Sequence, residues 1–258
     1  MKKFILILTV LAIAGVNNAM AWSKYGHEIV VEIAKRHLTE RTKANIAKYI
    51  AHDLTLDAVY MDDHRKDEAI AYTTAWHVYE LDKNLEYNIN PRLKKGGDAI
   101  HALKVADINL SRYREHCDST VIFNIRMVLH FAGDMHCPSH AYIGGRCFWP
   151  CKLGDWETQW HYIYDKMPAL LNPGKTPTEV AIELDNCKKG EIKRIQKGDL
   201  LEWVKHSAVN IKKAYDLNPR NKYNLDPNTV ELSREFVSEQ LRNAGYRLAF
   251  LLNKYFDK

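Results

Sequence analysis

Histidine and carboxylate side chains recur at a four-residue spacing in two segments of this chain. His130 and Asp134 form one pair, and His161 and Asp165 form the other. On an α-helix, side chains four residues apart lie on one face and converge, so each pair can grip one ion. His140 follows Asp134 closely, just past Pro138, and His27, Asp62 and His77 lie upstream. Imidazole nitrogen combined with carboxylate oxygen suits zinc better than magnesium or calcium, which prefer oxygen throughout. A surface hydrogen bond explains any one such pair equally well, and a lone helical histidine is commonly a packing residue. Spacing alone leaves both explanations open. His37, His52, His64, His101, His116 and His206 read as exposed or packing residues.

The elements that must position these side chains read as mostly helical. Ile29, Val30, Ile33, Ala34 and Leu38 predict a helix over 26–38. Thr39 resembles an N-cap for a second helix over 41–51. Apolar periodicity predicts further helices over 98–113, 120–134, 177–185, 200–215 and 229–255. The stretches 75–87 and 144–153 read as strand-like or irregular. There is no internal repeat, linker or low-complexity segment. The expected fold class is all-α, a single compact multi-helical domain over 22–258.

Residues 1–21 read as a signal peptide rather than as part of that domain. Lys2 and Lys3 open the chain, an apolar run covers 4–16, and Ala19-Met20-Ala21 forms an A-x-A cleavage site. The apolar run falls short of the roughly 20 residues that span a bilayer, and no later segment is apolar enough to do so. The expected product is exported, periplasmic or extracellular, and begins at Trp22. Loss of the two lysines lowers the formal net charge from +5 to +3, too mild by itself to mark a nucleic-acid binder. A composition 46% hydrophobic and 27% charged excludes a disordered chain. The five cysteines (Cys117, Cys137, Cys147, Cys151 and Cys187) would meet an oxidising compartment, so a disulfide is expected. Cys147 and Cys151 are close enough for a small local loop, but the pairing stays open, and the odd number leaves at least one cysteine over.

Five segments carry a resemblance. Trp22-Ser23-Lys24-Tyr25-Gly26-His27 resembles a mature start W-G-x-x-G-H. Tyr60-Met61-Asp62-Asp63-His64-Arg65 resembles W-A-D-x-x-R, and Trp76-His77 resembles the start of W-H-[YF]. The run from His130 through Gly133-Asp134 to Pro138-Ser139-His140 resembles H-F-x-G-D-x-x-Q-P-L-H. Trp160-His161 to Asp165 resembles N-L-H-x-x-W-D. In this order they resemble the zinc-dependent single-strand nucleases of fungi, plants and bacteria, which share a superfamily with the bacterial zinc phospholipases C.

The resemblance implies three zinc ions. One would be held by Asp62, His77, His130 and Asp134, and a second by His140, His161 and Asp165. The third would be held by the amine and carbonyl of Trp22 and by His27, with Asp134 as a bridge. It implies Asp62 and Asp134 as catalytic carboxylates and Arg65 as a phosphate contact, a role for which a guanidinium fork is suited. The implied reaction is hydrolysis of single-stranded DNA and RNA to 5′-phosphomononucleotides, with 3′-nucleotidase activity, by a monomer with no stable protein partner. The alternatives are a zinc phospholipase C acting on lipid phosphodiesters and a non-enzymatic zinc-binding helical protein. Four residues separate Trp22 from His27, and the last ligand is Asp165. Both features match the nucleases, since the phospholipases have a longer gap and a glutamate.

The chain also departs from that pattern. Val78 stands where fungal relatives carry a base-stacking ring, and Tyr79, Tyr162 and Trp149 are candidate substitutes. Glu80 stands where an Asp or Asn is frequent. Cys137 and Ser139 replace Gln and Leu, and His136 has no assigned role. A Cys137 thiolate could bind zinc. A buried free thiol or a disulfide partner is the other reading.

Overall fold

The computed structural model describes residues 22–88 and 96–258. The expected signal peptide lies outside the described residues. Ten α-helices are described: α1 (Lys24–Lys35), α2 (Glu40–Ile46), α3 (Tyr60–Asp63), α4 (Ala99–Ser111), α5 (Asp118–Asp134), α6 (Trp160–Leu171), α7 (Pro177–Leu184), α8 (Lys189–Gln196), α9 (Leu200–Leu217) and α10 (Thr229–Phe256). The strands are short: β1 (Tyr79–Leu81), β2 (Tyr87–Asn88), β3 (Ala141–Ile143), β4 (Pro150–Leu153) and β5 (Trp156–Gln159). The helical expectation holds, and the small sheets are connectors within it.

Local chemistry sets the helix starts. The Thr39 side chain accepts from the backbone N–H of Thr42 at 3.0 Å, as the sequence predicted for α2. Thr176 with Glu179 and Asp199 with Glu202 form capping boxes at α7 and α9. The helix expected over 41–51 is shorter than its pattern and stops at Ile46. α8 was not expected. It offers only Ile192 and Ile195 to the core and buries no residue fully, so it leaves almost no periodic signal.

α10 is the spine of the molecule and packs against α1, α2 and every helix from α4 to α9. It lies tight against α1 at Gly245. A Cβ at Gly245 would lie 2.5 Å from Cβ and Cγ2 of Ile33 and 3.1 Å from the carbonyl oxygen of Val30. A mid-helix glycine costs about 1 kcal/mol in propensity, and here it lets two backbones close on one another.

The stretch 75–87 is only partly strand. It begins inside a 3-10 turn, Ala71–His77, before β1. β1 pairs antiparallel with β2 and parallel with β3, placing Tyr79 opposite Ala141 and Leu81 opposite Ile143. In the stretch 144–153, only Pro150–Leu153 pairs, as a hairpin with β5 that delivers the chain into α6. Gly154 makes that two-residue turn possible with φ +59°, in the left-handed region.

All five cysteines are free thiols, so the expected disulfide is not seen. Cys147 turns its sulfur toward the Ser139 carbonyl, 2.9 Å away, and toward the His161 ring. No helix among the described residues is long and apolar enough to cross a membrane.

Gly245→Ala is expected to destabilise the protein by about 1–3 kcal/mol through overpacking, despite alanine's better helix propensity. A urea unfolding midpoint unchanged by the substitution would show that the α1–α10 crossing opens freely.

Candidate metal centre

Six separate parts of the chain meet beneath α5. The last two turns of α5 supply His130 and Asp134, and the first turn of α1 supplies His27. Asp62 comes from α3, and His77 ends the turn before β1. His140 ends a second 3-10 turn, Pro138–His140, and the start of α6 supplies His161 and Asp165. The parallel pairing of β1 with β3 explains why His77 and His140 are neighbours, since each residue sits just ahead of its strand. The Nδ1–H of His140 donates to the His77 carbonyl across this junction. Trp22, His27, Asp62, His77, His130, Asp134, His140, His161 and Asp165 are all buried, none more than 7% exposed.

Asp134 lies between two groups of imidazoles. Its Oδ2 is 3.1 Å from His77 Nδ1 and 3.3 Å from His130 Nε2. Its Oδ1 is 3.3 Å from His27 Nε2 and 3.6 Å from His140 Nδ1. His130 Nε2 and His77 Nδ1 are 3.0 Å apart. Asp62 joins this group at 3.6 Å from His77 and 3.8 Å from His130. In the adjacent group, His161 Nε2 is 3.2 Å and His140 Nε2 is 3.7 Å from the Asp165 carboxylate. Zinc bonds of roughly 2.0–2.3 Å in a tetrahedron put donor atoms about 3.3–3.8 Å apart, and most of these spacings lie in or close to that range.

Tight glycines make the convergence possible. A Cβ at Gly133 would lie 2.8 Å from His27 Nδ1, and one at Gly26 would lie 2.9 Å from Trp22 Cβ. The Trp22 ring is thereby wedged between α1 and α5. The backbone N–H of Ser23 donates to the Asp165 carbonyl at 2.8 Å, which ties the segment at Trp22 to α6.

The donor atoms fit a cation and little else. Both nitrogens of His27, both oxygens of Asp62, His77 Nε2, Asp134 Oδ1, His140 Nε2 and Asp165 Oδ2 are buried with no hydrogen-bond partner. Buried polar atoms are nearly always paired, so this concentration of unpaired ones calls for a ligand. Burial pushes Asp62 up to about 7 and Asp165 up to about 8, and it holds Asp134 well above the carboxylate range. Burial also keeps His27 and His77 well below the usual imidazole value and takes His161 to about 3. Neutral imidazoles present lone pairs, and buried carboxylates lack only a positive partner. Outer contacts fix the rings: His130 Nδ1–H donates to the Ala58 carbonyl at 2.9 Å, leaving Nε2 for an ion.

Arg65 stands at the edge of the cluster, with Nη1 3.9 Å from Asp62 Oδ1. His136 faces away from the cluster. Its Nδ1–H donates to the Ala132 carbonyl at 2.7 Å, and its Nε2 accepts from Arg247 of α10 at 2.7 Å. It is a buried strut between the donor loop and α10.

Among the aromatic candidates, Tyr79 is core, its hydroxyl donating to the Met135 carbonyl at 2.8 Å. Trp149 is stacked on Trp160 in the core. Tyr162 stays half-buried. The ring that sequence reasoning missed is Phe148, also half-buried, which stacks on His161 at 4.2 Å between centroids. It lies in an irregular loop, where no periodicity could flag it.

The buried carboxylates and imidazoles form candidate metal-ligand groups within a mostly helical fold. The chain matches the family model described as S1/P1 nuclease over residues 22–257, and it belongs to that family. It is similar to Endonuclease 1 of Arabidopsis thaliana, with 23% identity over 302 aligned positions covering 99% of this chain and 93% of that protein. The protein is a nuclease, a hydrolase acting on phosphodiester bonds.

Asp134→Ala removes the carboxylate that faces both imidazole groups. It is expected to lower bound metal by elemental analysis and to cut nuclease turnover more than about 100-fold, beyond the roughly 10–100-fold typical of outer-shell losses. Near-normal turnover with full metal content would contradict the shared role of Asp134.

Proposed function

We propose that this chain is an exported, monomeric zinc nuclease. It would hydrolyse single-stranded DNA and RNA to 5′-phosphomononucleotides and remove 3′-phosphates from nucleotides. The observation that carries this reading is the buried donor set, in which the two oxygens of Asp134 face different imidazole groups. Three zinc ions would be held as the family pattern implies. Asp62, His77, His130 and Asp134 would take one, and His140, His161 and Asp165 another. Trp22 and His27 would take the third together with Asp134. When bound, zinc supplies Lewis acidity toward phosphoryl oxygen and water acidified to a pKa near 7.

The protein's own residues do the rest. Asp62, with both oxygens buried and unpaired, orients the attacking water. Asp134 holds the donor groups at one spacing, so little reorganisation accompanies the reaction. Arg65, beside Asp62 at the cluster's edge, offers its fork to non-bridging phosphate oxygens. Phe148 and Tyr162 offer half-buried rings near His161 for a base, in place of the ring absent at Val78. Base stacking of this kind is worth about 1–3 kcal/mol. With a net charge of only +3 after cleavage, attraction for phosphate would come from the bound ions rather than from a basic surface.

Two observations support export. Residues 1–21 have the basic, apolar and A-x-A parts of a signal peptide, and the family match begins at Trp22, which is fully buried. A free amine at Trp22 exists only after cleavage behind Ala21.

Zinc-loaded mature protein is expected to degrade single-stranded DNA while leaving phosphatidylcholine vesicles intact. Lipid turnover with intact DNA would overturn this reading in favour of a phospholipase C. A protein left with one extra residue ahead of Trp22 is expected to lose metal content and at least about tenfold in activity, on the scale of weakened metal sites. Full activity in that form would remove Trp22 from the ligand set.

A further inference from the structure

We propose that the sulfur of Cys137 is a further protein ligand of the ion held by His140, His161 and Asp165, giving that ion an N2OS donor set. The inference rests on the metal-centre reading above and adds a ligand that the family pattern does not contain.

Cys137 is fully buried at the start of the turn that ends in His140. The turn folds the sulfur back over the donors. Cys137, His140 and Asp165 form a group whose ligand atoms all lie within 4.8 Å of one another. Cys137 Sγ is 3.9 Å from Asp165 Oδ1 and 2.9 Å from Ser139 Oγ. His140 Nε2 and Asp165 Oδ2 are buried without hydrogen-bond partners, so the same pocket holds donors that need an ion. In a tetrahedral zinc site, a sulfur at about 2.3 Å and an oxygen or nitrogen at about 2.0–2.1 Å lie roughly 3.5 Å apart. The Cys137–Asp165 spacing is a few tenths of an ångström above that value. Binding breaks the S–H bond, releases one proton to the buffer and forms a zinc–sulfur bond, with no change of oxidation state.

Cys147 provides the internal comparison. It too is fully buried and close to the site, but it meets the other side of His161. Its Sγ is 3.3 Å from His161 Nδ1, whereas His161 Nε2 faces Asp165 at 3.2 Å. Its thiol donates to the Ser139 carbonyl at 2.9 Å. Cys147 therefore lies against the Nδ1 side of the His161 ring, beside the Ser139 carbonyl that also meets His161, and Cys137 lies on the side of the donors. Ser139 stands between them, its hydroxyl donating to Asp165 Oδ1 at 2.5 Å and its carbonyl accepting from Cys147. A fourth protein ligand would hold this ion more firmly.

Cobalt(II) is the probe, because cobalt bound to thiolate shows an intense near-ultraviolet charge-transfer band that nitrogen and oxygen ligands do not give. Apo mature protein titrated with cobalt is expected to develop this band. Cys147→Ser should retain it and Cys137→Ser should lack it. With zinc, Cys137→Ser is expected to release one equivalent to a competing chelator at least tenfold more readily than the unmodified protein. Stoichiometric cobalt uptake by the unmodified protein without the band would overturn the proposal even if Cys137→Ser failed to fold. So would a band that survives in Cys137→Ser or vanishes in Cys147→Ser alone. Failure to take up cobalt at all would instead defeat the metal-centre reading itself.

Discussion

A carboxylate removed from water costs several kcal/mol unless a positive partner meets it. Asp134 is fully exposed to that constraint. It is buried at the end of α5, and burial holds it well above the carboxylate range. Its nearest neighbours are imidazoles that burial keeps neutral. Neutral imidazoles cannot supply the missing charge. Asp62 and Asp165 repeat the problem within the same pocket. Three buried carboxylates collected around neutral rings form candidate metal-ligand groups, and the remaining structure holds that arrangement together.

The holding devices are steric and hydrogen-bonded. Gly133 and Gly26 leave room for His27 and Trp22 to enter between α1 and α5. The parallel pairing of β1 and β3 fixes His77 beside His140, although the two are distant in sequence. From beneath, α10 braces the loop between Asp134 and His140 through two contacts. Arg247 donates to His136, and Gln240 donates to the His136 carbonyl at 2.8 Å. Arg247 is itself 2% exposed and donates also to the carbonyl of Ile195, so α8 is tied into the same brace. The C-terminal helix thus supplies no donor to the cluster but fixes the segment that carries several.

Much of this was legible in the sequence because it is local. Helical spacing marks the pairs His130 with Asp134 and His161 with Asp165 as candidates, the family motifs give them a ligand role, and both fall within the helices α5 and α6. Thr39 marked the start of α2 by its capping chemistry. The contacts that were not legible are non-local or irregular. Three-residue strands such as β1 and β3 carry too little alternation to betray a partner. α8 buries no residue fully and so shows little periodicity. Phe148 reaches His161 through an aperiodic loop, and Cys147 turned out to face His161 rather than Cys151. Cys137 is marked in the sequence only as a departure from the family motif, and its place beside His140 and Asp165 comes from a turn that no periodicity signals.

The central claim is that the buried carboxylates and imidazoles exist to hold zinc, and metal content tests it most directly. Elemental analysis of the purified mature protein, prepared without chelators, should find close to three zinc ions per chain. Fewer than two, with no other divalent metal making up the difference, would contradict the account.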